Sequence, residues 1–265
     1  MYDEFIRQVQ ERWERIIIQY ASDLFLNHWL PSHNISHHKR VWKNACLLLP
    51  HLNLNSDTQT ETFFEQLLFA CYFHDLGLIY DKGPNHGKES VKICKEFFGL
   101  HRDRIRFNSR DVEWAIEHHD DKDYKLKKVR ASAIYRVLAL ADDLDALGAI
   151  GCYRYIEIYL MRSLKPVLIP GLILENAEKR FDNLLANLKS TGVDALEIKK
   201  RYDLLKVLLG EDHFIENPAS LVIWIYEEIV LKQMDPFIIL TNERFSGSSN
   251  SRINSFLDHF IREAG

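Results

Sequence analysis

The sequence predicts an all-α protein. Glycine and proline are sparse, at 11 and 7 among 265 residues, so few positions interrupt a regular backbone. Apolar residues recur mostly three and four apart, the helical spacing, and do not alternate as they would in strands. The interruptions that do occur, among them Pro31, Pro50 and Gly77, fall between periodic runs.

In chain order, residues 3–29 read as an amphipathic helix with Phe5, Val9, Trp13, Ile16, Ile17, Tyr20 and Leu24 on one side. Pro31-Ser32 breaks it, and Ser32 is placed to cap a second helix running to Leu49. A polar loop over 50–57 precedes a helix from Thr58 to Asp75, where Phe63, Phe64, Leu67, Leu68, Cys71 and His74 form a stripe. Gly77 suits the end of that helix. After the turn at 81–85, Asn85 caps a helix to Gly99, and Asn108 or Ser109 caps another reaching His119. Residues 120–128 read as a charged loop. Residues 129–162 read as helical with an interruption over Gly148 to Gly151, followed by helical patterns at 171–189, 193–209 and 218–233. A polar loop from Arg244 to Asn250 and a short helix close the chain.

Composition narrows the function classes. A net charge of −4 gives no global attraction to nucleic acid or to an anionic membrane. The longest apolar stretches, such as Ala219 to Val230, are too short and too interrupted to span a bilayer, and the residues after Met1 lack the pattern of a signal peptide. Cys46, Cys71, Cys94 and Cys152 sit singly in helical patterns, which reads as free thiols in a reducing cytoplasm. No nucleic-acid or membrane partner is expected, and a homo-oligomer is left open.

Chemistry concentrates in one ordered set of residues: His33-x-x-x-His37, His74-Asp75, His86, His118-His119 and Asp142. His33 and His37 are four apart and share a helical face. His74 continues the Leu67/Cys71 stripe inward, His86 leads the stripe of Ser90, Ile93 and Phe97, and Asp142 shares a face with Leu138 and Asp145. His119 follows Val112, Ala115 and Ile116, while His118 is rotated toward Asp111 and Trp114. Any one of these alone reads as a hydrogen-bonded core residue or a turn. Burying all of them is costly unless charge is compensated. A divalent cation compensates the carboxylates and uses neutral imidazoles as ligands. One or two ions fit, with manganese, iron, nickel, cobalt, zinc and magnesium all open. Such a site brings the pKa of a bound water to about 7 and polarises a phosphoryl oxygen. His33 is then placed as a proton donor or phosphate contact. Lys82, Lys88, Lys122, Arg130, Arg136 and Arg154 flank the set, with Arg154 and Lys122 the expected phosphate contacts.

With these residues in view, the stretch from Ser32 to Arg154 resembles the HD-domain metal-dependent phosphohydrolases. His33-Asn34-x-x-His37-x-x-Arg40-Val41 resembles the first helix of that family, His74-Asp75 its signature pair, and Ala141-Asp142-x-Leu144-Asp145-Ala146 its final motif. The segment Gly148-Ala149-Ile150-Gly151-x-x-Arg154 is similar to small bacterial HD nucleotide hydrolases. The resemblance implies that His37, His74, Asp75 and Asp142 hold a first metal. It implies a second on His86 with His119 or His118, bridged by Asp75, which is also expected to be catalytic. Two positions depart: Asn34 stands where the family often has Asp, and Asp143 where it often has a basic residue.

The expected protein is thus an HD-type helical bundle over 1–162 with a helical C-terminal extension over 163–265. Its expected substrate is a nucleotide or a related small phosphoester, hydrolysed by a metal-activated water. A di-iron oxygenase on the same ligand set and a regulatory nucleotide-binding module are the alternatives.

Overall fold

The structure, a computed structural model, describes residues 2–52, 54, 60–121, 132–188, 195–236 and 249–264. Every regular element among them is a helix. The chain divides into two compact units, Met1–Asp142 with Asn187–Val193 and Asp143–Ala186 with Asp194–Gly265. The division therefore falls inside a helix, well before the boundary at 162 that the motifs suggest. Lys122, the basic run 125–130 and the segment 237–240 lie outside the described residues, as do most of the loops expected over 120–128 and 244–250.

In the first unit, α1 (Tyr2–Val9) and α2 (Arg15–Phe25) are joined by one π-helical turn, Gln10–Glu14. The predicted single helix over 3–29 is thus interrupted and ends earlier. A 3₁₀ turn, Pro31–His33, leads into α3 (Ile35–Leu48). The cap of α3 is Asn34, whose side chain accepts the Ser36 N–H, not Ser32. The reason is local: Pro31 sets the backbone of the short turn, which consumes Ser32 and His33 before α3 begins.

α4 (Glu61–Phe73) starts at Thr60, whose hydroxyl accepts the Phe63 N–H. The run Phe63 to Phe73 is apolar nearly all round, and a helix with no polar face belongs in the centre. Every residue from Leu67 through Phe73 is accordingly buried, and α1, α3, α5 (His86–Leu100) and α6 (Arg110–His118) pack around α4. The aromatic faces of Trp13, Phe69, Phe73 and Phe97 meet at ring separations of 5.1–6.3 Å. The one acid within this run, Glu65, accepts the Trp13 indole N–H and pairs with Arg12, so its burial is compensated.

α7 (Ala133–Asp145) carries the chain from the first unit into the second. The break after it falls at Ala146–Leu147, where Leu147 is extended, and α8 (Gly148–Met161) begins at once. α8 is buried from Gly148 to Tyr159 and is the central helix of the second unit. α9 (Ile169–Leu188) follows the 3₁₀ turn Pro166–Leu168. α10 (Ala195–Leu209), α11 (Ala219–Ile225) and α12 (Ser251–Ala264) pack against α8. The terminal helix is tied down at both ends. Glu263 accepts the Ala149 and Ile150 N–H groups at the start of α8, and buried Arg252 donates to the Leu208 and Glu216 carbonyls. No helix among the described residues is long and apolar enough to cross a membrane.

Candidate metal centre

The site is assembled in the first unit, where α4 ends. His74 still has helical backbone angles, but Asp75 turns to φ −111°, ψ 4°. That change lets two adjacent side chains, which would diverge within a helix, converge on one centre. His37 comes from the first turn of α3, His86 from the first residue of α5, His119 from the end of α6 and Asp142 from the last turn of α7. All six side chains are buried, with none of these residues more than 5% exposed.

The donor atoms fall into two groups that share Asp75. In the first, His37 Nε2 and His74 Nε2 are 3.1 Å apart, and each lies 3.4 Å from Asp75 Oδ2. Asp142 Oδ1 lies 3.9 and 4.0 Å from these two nitrogens. In the second, Asp75 Oδ1 lies 2.9 Å from His119 Nε2 and 3.5 Å from His86 Nε2. Those two nitrogens are 3.4 Å apart. Ligands about 2.0–2.2 Å from one ion stand roughly 3–4 Å from each other, which is the spacing found in both groups.

Proton positions follow from the backbone. His74 Nδ1 faces the Cys71 carbonyl at 2.9 Å, His86 Nδ1 the Gly83 carbonyl at 2.7 Å, and His119 Nδ1 the Ile116 carbonyl at 2.7 Å. A carbonyl only accepts, so each Nδ1 carries the proton and donates it. In the neutral ring each Nε2 is then a bare lone pair aimed inward, the arrangement that imidazole ligands need. Facing lone pairs repel, and a cation relieves that repulsion. The residues present therefore fit a divalent metal.

Charge in the cluster is finely set. Burial works against ionisation of Asp75, but His74, His119 and His37 outweigh it and hold the carboxyl well below its usual range. Burial dominates at His74 and lowers its pKa. At His119 burial is outweighed by Asp75, and the pKa is raised.

Two glycines make the close approach possible. A Cβ on Gly77 would overlap the His86 carbonyl oxygen and come within 2.5 Å of the Ser90 nitrogen. A Cβ on Gly87 would come within 2.5 Å of the Glu117 carbonyl oxygen. The first glycine lets the turn after Asp75 lie against α5, and the second lets α5 lie against α6. Together they bring His86 and His119 to Asp75.

Other expected residues are placed differently. His118 is turned away: its ring stacks on Trp114 at 4.6 Å, and its Nδ1 bonds the Trp114 carbonyl. It is not in either donor group, because it lies about 100° around the helix from His119. His33 is buried beside His37, with ring centres 5.4 Å apart, but it belongs to the 3₁₀ turn and not to α3. Its Nδ1 is 2.7 Å from the Ser32 hydroxyl. Arg154 is buried in the second unit against Asp145 at 3.1 Å, an ion pair and not an open phosphate contact. His38 was not among the residues singled out from the sequence. It is fully buried against the His37 and His74 rings, with its Nδ1 3.4 Å from the Cys71 carbonyl. Its position beside His37 was the available signal.

Residues 34–147 match the family model of the HD domain. Over that stretch, less than half of the chain, the sequence is similar to the HD domain. The match contains His37, His74, Asp75, His86, His118, His119 and Asp142, and leaves out His33 and Arg154. No curated protein and no solved structure matches the chain. The HD domain is that of a metal-dependent, hydrolase-like family, and the buried His/Asp cluster is compatible with divalent metal.

The two neighbouring histidines of this HD domain should separate cleanly. His119→Ala is expected to weaken the binding of one ion by about 100-fold or more, beyond what supporting groups usually cost, and His118→Ala by less than about twofold. Calorimetric titration with Mn²⁺ measures both, and equal losses would overturn the assignment of His119.

Proposed function

We propose that this HD protein is a metal-dependent phosphohydrolase acting on a nucleotide or a related small phosphoester. The observation that carries the reading is Asp75, whose two carboxylate oxygens face two separate pairs of histidines. A divalent metal held there supplies an activated water and neutralises charge on phosphoryl oxygens. His37, His74, Asp75 and Asp142 would hold one ion, and Asp75, His86 and His119 a second.

The protein's own part is to fix and shield this centre. The three Nδ1–H bonds to carbonyls hold imidazole orientation, and burial keeps bulk water away and strengthens each electrostatic contact. His33, beside His37 and held by Ser32, is the group placed to pass a proton to a leaving oxygen.

The test is metal content of the purified protein, followed by assay of nucleoside mono-, di- and triphosphates and phosphodiesters with added Mn²⁺. Turnover of at least one class is expected. No turnover of any phosphorylated compound by metal-loaded protein overturns the reading. Tightly bound redox iron in that case would point to oxygen chemistry, and nucleotide binding without turnover to a binding module.

A further inference from the structure

The last turn of α7 holds three acids, Asp142, Asp143 and Asp145, and no basic residue. Carboxylates at a helix C-terminus oppose its dipole, so this turn is unfavourable on its own. Asp143 is nevertheless fully buried. Its Oδ1 accepts from Arg180 Nη1 at 3.0 Å and its Oδ2 from Asn183 Nδ2 at 2.5 Å. Arg180 and Asn183 are three apart on α9 and so share one face. Asp145 is held in turn by Arg154 from α8.

We infer that Arg180 and Asn183, acting through Asp143, are positioning residues for Asp142, an inference that rests on the reading of Asp142 as a metal ligand. A buried ion pair adds little net stability over an apolar pair, but it can select one arrangement. Adjacent helical residues point about 100° apart, so holding Asp143 on one side fixes the direction of Asp142. Asp142 Oδ1 is also the donor atom farthest from the two imidazoles of the first group, at 3.9 and 4.0 Å. On this account Arg180 and Asn183 act on Asp142 only through the backbone that joins it to Asp143.

The experiment uses the full chain. Mn²⁺ affinity is measured for wild type and Arg180→Met, each with and without Asp142→Ala. Amide hydrogen exchange is followed in the metal-free proteins. Arg180→Met should weaken Mn²⁺ binding by about 10–100-fold in the wild-type background, the range for groups that orient ligands, and should add nothing once Asp142 is gone. Exchange should quicken over 141–145 and stay unchanged in α4. Asn183→Leu, which keeps the ion pair, should show the same pattern more weakly and serves if Arg180→Met does not fold. Equal weakening in both backgrounds, or unchanged exchange over 141–145, overturns the inference. If wild type binds no Mn²⁺, the metal reading fails separately, and the exchange comparison still decides whether Arg180 anchors the turn.

Discussion

Asp75→Asn is expected to lower turnover by about 10³-fold or more, the scale of losing a group that organises charge at the reacting centre. The substitution keeps size and one acceptor but removes the charge that both histidine groups face. Because the two oxygens serve different groups, affinity for both ions should fall, whereas His119→Ala should spare one. Metal content and turnover measured on the same samples check this, and an Asp75→Asn protein as active as wild type would overturn the metal assignment.

The same substitution has a pH signature in metal-free protein. His119 has a raised pKa when folded, so its contribution to stability is present below the unfolded value of 6.5 and is lost as pH rises through the folded value. Asp75 has a lowered pKa when folded, so its contribution is present above 3.8 and is lost as pH falls through the folded value. Both are in force between those limits. Asp75→Asn should therefore destabilise the metal-free protein more near pH 5 than near pH 8, which thermal unfolding at about those two values measures.

Gly77→Ala is the second large effect. The added methyl meets backbone, the His86 carbonyl and the Ser90 nitrogen, which cannot swing aside as a side-chain end can. The Gly77 N–H bond to the Ser90 hydroxyl, 2.8 Å long, would be strained at the same time. A cost of about 3 kcal/mol is expected, at the upper end for overpacking, or roughly 6–12 °C in Tm for a chain of this size. The turn after Asp75 must then move off α5, which separates Asp75 from His86. Affinity at the His86/His119 group should fall before that at the His37/His74 group. Unchanged Tm with unchanged Mn²⁺ stoichiometry would contradict this account.

Much of the fold was legible in the order of residues. Apolar spacing located α3 through α6 to within a few residues, because a helix that must bury one side repeats its apolar positions every three or four residues. Where a run is apolar on all sides, as in α4, spacing says that it is buried but not how its polar ends turn. The N-terminal helix shows the opposite limit: its stripe continues through Gln10–Glu14, yet the backbone there is π-helical. Ser32 and Asn34 are both good caps, and only the turn set by Pro31 chose between them.

The sequence alone named the residues of the candidate site that the structure gathers: His37, the His74-Asp75 pair, His86, a choice within His118-His119, and Asp142. Such groups can be buried together only if charge is compensated, so their joint presence on inward faces already pointed to a cation. The tertiary structure decided the rest. It brought His119 rather than His118 beside Asp75, turned Asp75 to face two groups, set Arg154 against Asp145, and supplied Arg180 to Asp143. Each of these depends on which helix lies beside which, and that is a matter of packing between residues far apart in the chain, which local periodicity does not encode.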